Sequence, residues 1–367
     1  MARTRRPTHK TATKPARTVS RKHEADRPER ARPGGGEQLG GGRPGRPAEP
    51  STRLTLPERV GARPSEQGPL ILTVEPTQDY ALIDSGGGEK LERYGPLLVR
   101  RPENQAIWQP RLKPDDWLRA DAVFTGDIDE EGTGRWRFPN APLGETWPLV
   151  HDGLSYQGRF TSFRHVGVFP EQAAHWSYAE AAIRAASQRG NNPVRVLNLF
   201  GYTGIASLIA ARAGAEVTHV DASKKAVGWA RENQEMAGLG ARPIRWICED
   251  AIRYVEREVK RGSRYDAILL DPPKFGRGPK GEVWQLFDDL PYLLGLVREL
   301  LSDRPLFVIL TAYSIRASFY ALSALMGESF RGLGGNLQSG ELVIREAGDE
   351  PRLLSTSLFS RWSADHV

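Results

Sequence analysis

A chain of 367 residues is long enough for two domains plus extra segments, and its single cysteine excludes an internal disulfide and any multi-thiolate metal centre. There is no secretory apolar core and no run of eighteen apolar residues, so a membrane-spanning helix is excluded and a reducing, cytoplasmic setting with no membrane partner is expected. The net charge of +6 is unevenly spread: residues 1–66 hold sixteen Lys or Arg against seven Asp or Glu, and the rest of the chain thirty-five against thirty-eight.

Residues 1–66 also carry nine Pro, eight Gly and no aromatic side chain, too little apolar surface to offset the entropy of ordering, and are expected to be a disordered tail. The first 23 residues have eight basic side chains and no acid, a pattern suited to loose, salt-sensitive contact with nucleic acid. A solubilising tail fits equally well, and a transit peptide fits less well because an apolar face is missing. From 67 to 160 the signals are short strands and turns, with a turn at Gly86–Gly88 and Trp108, Trp117, Trp136 and Trp147 as packing anchors, which predicts a small β-rich domain. From 161 to 367 apolar strands alternate with helices. "PEQAAHWSYAEAAIRAASQ" opens a helix at Pro170, and "VRVLNLF", "EVTHVD", "IRWIC", "YDAILLD" and "LFVILTA" are strands separated by helices, one of them "VWQLFDDLPYLLGLVRELL". Two final strand runs have no helix between them. The α/β pattern predicts a Rossmann-like, doubly wound, mainly parallel sheet with an antiparallel hairpin at one edge.

Ligands of such sheets collect at the carboxyl ends of the strands. The first strand runs into "NLFGYTG", where Gly201 and Gly204 permit a tight turn and close backbone approach. The second ends at Asp221, which can accept from both hydroxyls of a ribose or can cap the next helix. The third ends near Asp250, again a cap or an acceptor for an adenine amino group. The fourth ends in "DPPKF": Pro272 and Pro273 lack amide hydrogens and force a stiff exit with bare carbonyls, either a strand terminator or the rim of a site. Taken together, the four strand ends point to a nucleoside site, and S-adenosylmethionine is the nucleoside that fits.

The stretches "FRHVGVFPEQAAHW", "VLNLFGYTG", "VDASKKAVGWARENQ", "EDAIRYV" and "DPPKF" together resemble the class I S-adenosylmethionine-dependent methyltransferases related to the large-subunit ribosomal RNA enzymes that modify cytosine C5 or guanine N7. The resemblance covers the chain from about Phe160 onward. It implies that Phe169, Gln172, Asn198, Gly201, Gly204, Asp221, Asp250 and Asp271 bind the cofactor. Asn198, Gly201 and Gly204 would line its methionine end, and related members often have another small residue at Gly201. Asp271, Pro272, Pro273 and Phe275 would face the substrate base, with Phe275 stacking a base taken out of its helix. Lys274 would contact phosphate or be solvated.

Methylating C5 of a pyrimidine needs a thiolate to attack C6. In the cytosine-modifying relatives that thiol follows the next strand, which here reads "LTAYSIRAS", with Tyr313 and Ser314 and no cysteine. Cys248 follows a different strand, where a small apolar filler is expected. A nitrogen acceptor already owns a lone pair and needs mainly alignment and acceptors, which Asp271 and the Pro272 carbonyl can supply, while Tyr313 orients the acceptor or packs at a strand end. The leading expectation is a methyltransferase acting on a base of ribosomal RNA. The alternatives are a methyltransferase of a small molecule or protein side chain, and a cofactor-binding relative without catalysis.

Overall fold

The computed structural model describes residues 53–126, 134–190, 193–313, 315 and 317–367. The basic tail up to residue 52 and Ser314 lie outside the described residues. In chain order the first part comprises β1 (Ser65–Val74), β2 (Tyr80–Gly86), β3 (Glu89–Tyr94), β4 (Leu97–Pro102), a single helical turn α1 (Pro114–Trp117), β5 (Ala122–Gly126), β6 (Gly134–Arg137), β7 (Thr146–His151) and β8 (Leu154–Arg159). Strands β2 to β6 form a five-stranded sheet in sequence order, and β7 and β8 form a separate hairpin.

The second part begins with a 3₁₀ turn at Pro170–Gln172 that leads into α2 (Ala173–Arg189). It continues through β9 (Arg195–Leu199), α3 (Ile205–Arg212), β10 (Glu216–Asp221), α4 (Lys224–Met236), β11 (Ile244–Cys248), α5 (Ala251–Arg261) and β12 (Ala267–Leu270). Then come β13 (Phe275–Arg277), β14 (Val283–Gln285), α6 (Leu286–Glu299), β15 (Phe307–Tyr313), α7 (Phe319–Ser329), β16 (Asn336–Arg345) and β17 (Leu353–Ser363). One eight-stranded sheet has the order β1-β16-β17-β15-β12-β9-β10-β11. Neighbours among β9, β10, β11, β12 and β15 are parallel, and β17 is antiparallel to both β15 and β16. All four residues of β12 are buried, as expected of a parallel strand covered on both faces.

Two findings differ from the sequence expectation. The terminal hairpin is not the edge: β1 runs parallel to β16 outside it, covering a strand whose Leu342, Val343 and Ile344 are buried. Chain from Arg53 onward is tied to α6 rather than belonging to a tail that ends at 66. Arg53 pairs with Asp289 at 2.5 Å, the Leu54 amide donates to the Tyr292 hydroxyl at 2.7 Å, and Arg59 pairs with Glu299 at 2.7 Å. Leu54 and Leu56 pack against the cluster that α5, α6 and α7 bury on one face of the sheet. Proline and arginine content masked this segment, because a few apolar residues suffice when a neighbouring helix supplies the rest of the core.

The other face is filled by α2 and α3. A further cluster joins Leu82, Tyr94 and Val99 of the small sheet and Trp147, Leu149 and Tyr156 of the hairpin to Trp176, Ile205, Leu208 and Ile209 of the α/β part. The small sheet therefore shares a core with the large one.

Candidate active site

Strand order reverses between β9 and β12, with β10 and β11 on one side and β15 on the other, so a crevice opens beyond their carboxyl ends. Its floor is the loop after β9. Phe200 and Tyr202 adopt left-handed backbone (φ 56° and 50°), a conformation that costs on the order of 1–3 kcal/mol at a bulky residue and persists only where the surroundings impose it. Here they do. The Gly201 amide donates to the Val220 carbonyl at 3.1 Å, the Tyr202 amide to Asp221 Oδ2 at 2.9 Å, and the Thr203 hydroxyl to the Gly167 carbonyl at 2.6 Å. The Phe200 ring lies 4.9 Å from Trp284 and that of Tyr202 5.7 Å from Phe169.

Asn198, 3% exposed, donates through Nδ2 to Ser207 Oγ at 2.9 Å, and that hydroxyl meets His219 Nδ1 at 3.0 Å. Burial holds the His219 pKa down at about 3, so the ring is neutral. A Cβ on Gly201 would come within 2.4 Å of this ring, so the other small residue that related members often have there would require the ring to shift in this chain. Gly204 precedes α3 with φ 83° and packs toward Ala230 and Trp246. It is not among the residues that line the cavities described below.

Asp221 closes β10. Its carboxylate accepts from the Tyr202 amide at 2.9 Å and the Ser223 amide at 2.8 Å. Burial pushes its pKa up despite these two amides. The cap of α4 is Ser223, whose hydroxyl accepts from the Ala226 amide at 3.2 Å, so Asp221 is not the helix cap. Asp250 does cap α5, accepting from the Arg253 amide at 2.9 Å, and burial raises its pKa as well. Cys248 is exposed rather than a buried filler, its thiol 3.6 Å from the Ala222 carbonyl.

Beyond β12, Asp271–Phe275 lead into a hairpin of β13 and β14, whose second strand falls on the start of the predicted helix "VWQLFDDLPYLLGLVRELL". The indole N–H of Trp284 donates to the Pro273 carbonyl at 2.7 Å. That corrects the expectation of two bare carbonyls: the one on Pro273 already has a structural partner. Phe275 is 44% exposed, and the Lys274 ammonium lies 5.2 Å over its ring, an intramolecular contact not foreseen from the sequence.

A cavity of about 830 Å³ joins these pieces. Asp221, Asp250, Asp271, Pro272, Pro273 and Phe275 line it, together with Phe169, Gln172 and Tyr313. A smaller chamber of about 60 Å³, sharing Phe169, Gln172 and Asp271 with the first, is lined by Asn198, Gly201 and His175. His175 is buried, its pKa lowered to about 3 by that burial, and neither ring nitrogen has a hydrogen-bond partner among the described residues. His175, Ser207 and His219 sit inside helices and a strand where they read as ordinary interior positions, so no sequence signal marked them. The size of the cavity, a strand-tip carboxylate with further lone pairs, and unpartnered imidazole nitrogens in the adjoining chamber fit a nucleoside carrying a polar amino-acid arm.

The same cavity is lined by the rings of Phe163, His165, Phe169 and Tyr313. The small sheet buries a charge network. Arg101 pairs with Glu92 at 2.5 Å, and Lys90 pairs with Glu103 at 3.1 Å. Burial alone would raise the Glu92 carboxyl, but Arg101 and Lys90 outweigh it and hold the pKa at about 2. Burial, then Arg101, Arg164 and Lys90, keep His165 well below the usual histidine range, hence neutral. Among the described residues no cluster of His, Cys, Asp or Glu could hold a metal ion, and no helix is long and apolar enough to cross a membrane.

Comparison with known proteins agrees with this geometry. Residues 180–286 match the family described as "Conserved hypothetical protein 95". The solved S-adenosylmethionine-dependent methyltransferase from Agrobacterium tumefaciens is 59% identical with a TM-score of 0.81, over 85% of this chain and 99% of that one. Ribosomal RNA large subunit methyltransferase K of Neisseria meningitidis serogroup B is 31% identical over 252 residues, 65% of this chain and 66% of the relative. Ribosomal RNA large subunit methyltransferase K/L of Shewanella sp. (strain MR-4) is 38% identical over 113 residues, 29% of this chain, which spans only 16% of that relative. The protein belongs to the class I S-adenosylmethionine-dependent methyltransferases.

Proposed function

We propose that the chain transfers a methyl group from S-adenosylmethionine to a nitrogen of a base in RNA, ribosomal RNA being the class named for its relatives. The observation that carries this is one cavity of about 830 Å³ with the acids Asp221 and Asp250 at the tips of β10 and β11 and "DPPKF" at the tip of β12. Bound there, the cofactor supplies an electrophilic methyl on a sulfonium. Asp221, held by two backbone amides, accepts from the ribose hydroxyls, and Asp250 accepts from the adenine amine. Phe169, Gln172, Asn198 and Gly201 enclose the methionine end. Asp271 and the Pro272 carbonyl align the acceptor nitrogen, and Phe275 offers an exposed ring to a base taken out of its stack. Gly204 contributes only by shaping the loop.

The lone cysteine closes β11 and none follows β15, which favours nitrogen over a pyrimidine carbon. The β-rich part, with Arg135 and Arg137 exposed on β6, is the proposed docking element for RNA in the cytoplasm, and the basic tail adds salt-sensitive affinity. The chain beyond residue 66 carries thirty-five basic against thirty-eight acidic residues, which favours the second reading, a small-molecule or protein substrate. Tritiated S-adenosylmethionine incubated with total RNA and with protein lysate separates the two. Label lost to nuclease but not protease is expected; label confined to protein or to small molecules overturns the RNA reading.

A further inference from the structure

The Tyr313 hydroxyl is oriented from behind. Arg164, 4% exposed, donates through Nη2 to the Tyr313 oxygen at 3.2 Å and through Nη1 to the Pro102 carbonyl at 3.3 Å. Its own carbonyl accepts from Arg101 Nη1 at 3.2 Å, so the buried network of the small sheet anchors it. A guanidinium has donors and no acceptor. The phenol oxygen is therefore the acceptor in that bond, and its proton must point elsewhere. The Phe169 and His165 rings meet Tyr313 edge-on at 5.7 and 5.8 Å, the Arg164 guanidinium lies 5.7 Å over its ring, and Tyr313 lines the 830 Å³ cavity. Burial raises the Tyr313 pKa and outweighs the lowering pull of Lys90 and Arg164, so the proton stays on the oxygen.

Tyr313 closes β15 and Asp271 follows β12, adjacent parallel strands with Leu270 opposite Leu310. All three of Asp271, Pro272 and Tyr313 line the one cavity, which thus offers a phenol donor together with the acceptors of Asp271 and Pro272. Resting on the RNA reading above, we propose that Arg164 fixes Tyr313 as a hydrogen-bond donor, and that the donor–acceptor pair selects a base whose exocyclic amine adjoins an unprotonated ring nitrogen. Adenine N6 beside N1, cytosine N4 beside N3 and guanine N2 beside N3 have that edge. Uracil, guanine N1 and guanine N7 do not. Tyr313 donates to the ring nitrogen while Asp271 and the Pro272 carbonyl accept from the amine, aiming its lone pair at the methyl. The nitrogen pair forms the new C–N bond, the methyl–sulfur bond breaks with its electrons kept by sulfur, and the surplus amine proton leaves along the hydrogen bond to Asp271.

The test uses the full chain, tritiated S-adenosylmethionine and total RNA from cells lacking the protein, with nucleosides from digested RNA identified by mass spectrometry. The expected product is an amino-methylated adenosine, cytidine or guanosine. Tyr313→Phe is expected to lower kcat/KM by about tenfold or more, since the substrate's ring nitrogen loses its partner. Arg164→Met is expected to match it and Arg164→Lys to recover most of the rate. The double variant Arg164→Met/Tyr313→Phe is expected to be no slower than Tyr313→Phe, because both act through one hydroxyl. Calorimetry with the cofactor alone controls for collapse of the site. A methyl on uracil, on carbon, on guanine N1 or N7, or on ribose overturns the inference and leaves the RNA reading standing. Full activity of Tyr313→Phe, or additive losses in the double variant, overturns it too. Absence of any label in RNA removes both.

Discussion

Asp221 shows how one side chain sets the polarity of the site. Two backbone amides, from Tyr202 and Ser223, fix its carboxylate before any ligand arrives, so the remaining lone pairs are presented without further ordering. Replacing it by Ala removes charge-assisted hydrogen bonds worth about 1.5–3 kcal/mol each, so calorimetry should show cofactor affinity falling on the order of a hundredfold. Unchanged affinity would remove the site as drawn. Because burial raises this carboxyl, it takes up a proton at a higher pH than a free aspartate does. Cofactor affinity should therefore fall on acidification, beginning above the ordinary aspartate range, and the Asp221→Ala chain should lose that dependence. Gly201 is the steric counterpart. A methyl there would press on the His219 ring at 2.4 Å and on Asn198 Nδ2 at 3.0 Å, disturbing the line from Asn198 through Ser207 to His219. Gly201→Ala is expected to cost about 1–3 kcal/mol in thermal unfolding and to weaken cofactor binding; a Tm equal to that of the parent chain would show that the ring moves aside freely.

At the scale of elements, the strands whose tips carry the site were legible because each is a short apolar run ended by Gly, Asp or Pro. β10 and β11 fall on the stretches "EVTHVD" and "IRWIC", and β12 stops before Asp271. The hairpin of β13 and β14 was not legible. "VWQ" continues into an apolar helix, and periodicity alone cannot separate a three-residue strand from a first helical turn. What separates them is tertiary. Trp284 reaches back to the Pro273 carbonyl at 2.7 Å and packs on Phe200 at 4.9 Å, pinning the hairpin against both the proline turn and the loop after β9. Trp284→Phe keeps most of the packing but leaves that carbonyl without its indole donor. A loss of about 1–2 kcal/mol in stability is expected, with a larger loss in turnover than in cofactor affinity because Phe275 opens the same hairpin. Equal losses in both would place the role of Trp284 in the loop after β9 instead.

At the scale of the whole molecule, the pattern of strands and helices puts a change from β-rich to α/β chain near residue 160, but it could not show that the two parts share a core. That core exists because Trp147, Tyr156 and Phe160 pack with Trp176, Ile205 and Leu208, contacts between residues far apart in sequence. The same limitation moved the start of the folded chain. Residues 53–64 have the polar, proline-bearing look of the tail, yet Leu54 and Leu56 pack on the core beside α6, Arg53 and Arg59 pair with its acids, and β1 follows directly. Two truncations separate charge from structure. A chain beginning at residue 53 keeps these contacts, while one beginning at residue 67 loses them together with the first pairs of β1 with β16, Ser65 with Asn336 and Glu66 with Leu337. The shorter chain should melt several degrees lower, since ion pairs, an amide hydrogen bond and two partly buried leucines together are worth a few kcal/mol and about 1 kcal/mol shifts Tm by roughly 2–4 °C in a large domain. Both truncations should bind RNA more weakly than the full chain at low salt, with the difference shrinking as salt rises, because residues 1–52 carry thirteen basic side chains against five acidic ones. Equal melting temperatures for the two truncations would show that the segment along α6 adds nothing to the fold. A salt-independent loss of RNA affinity would assign the tail a specific contact in place of a diffuse electrostatic one.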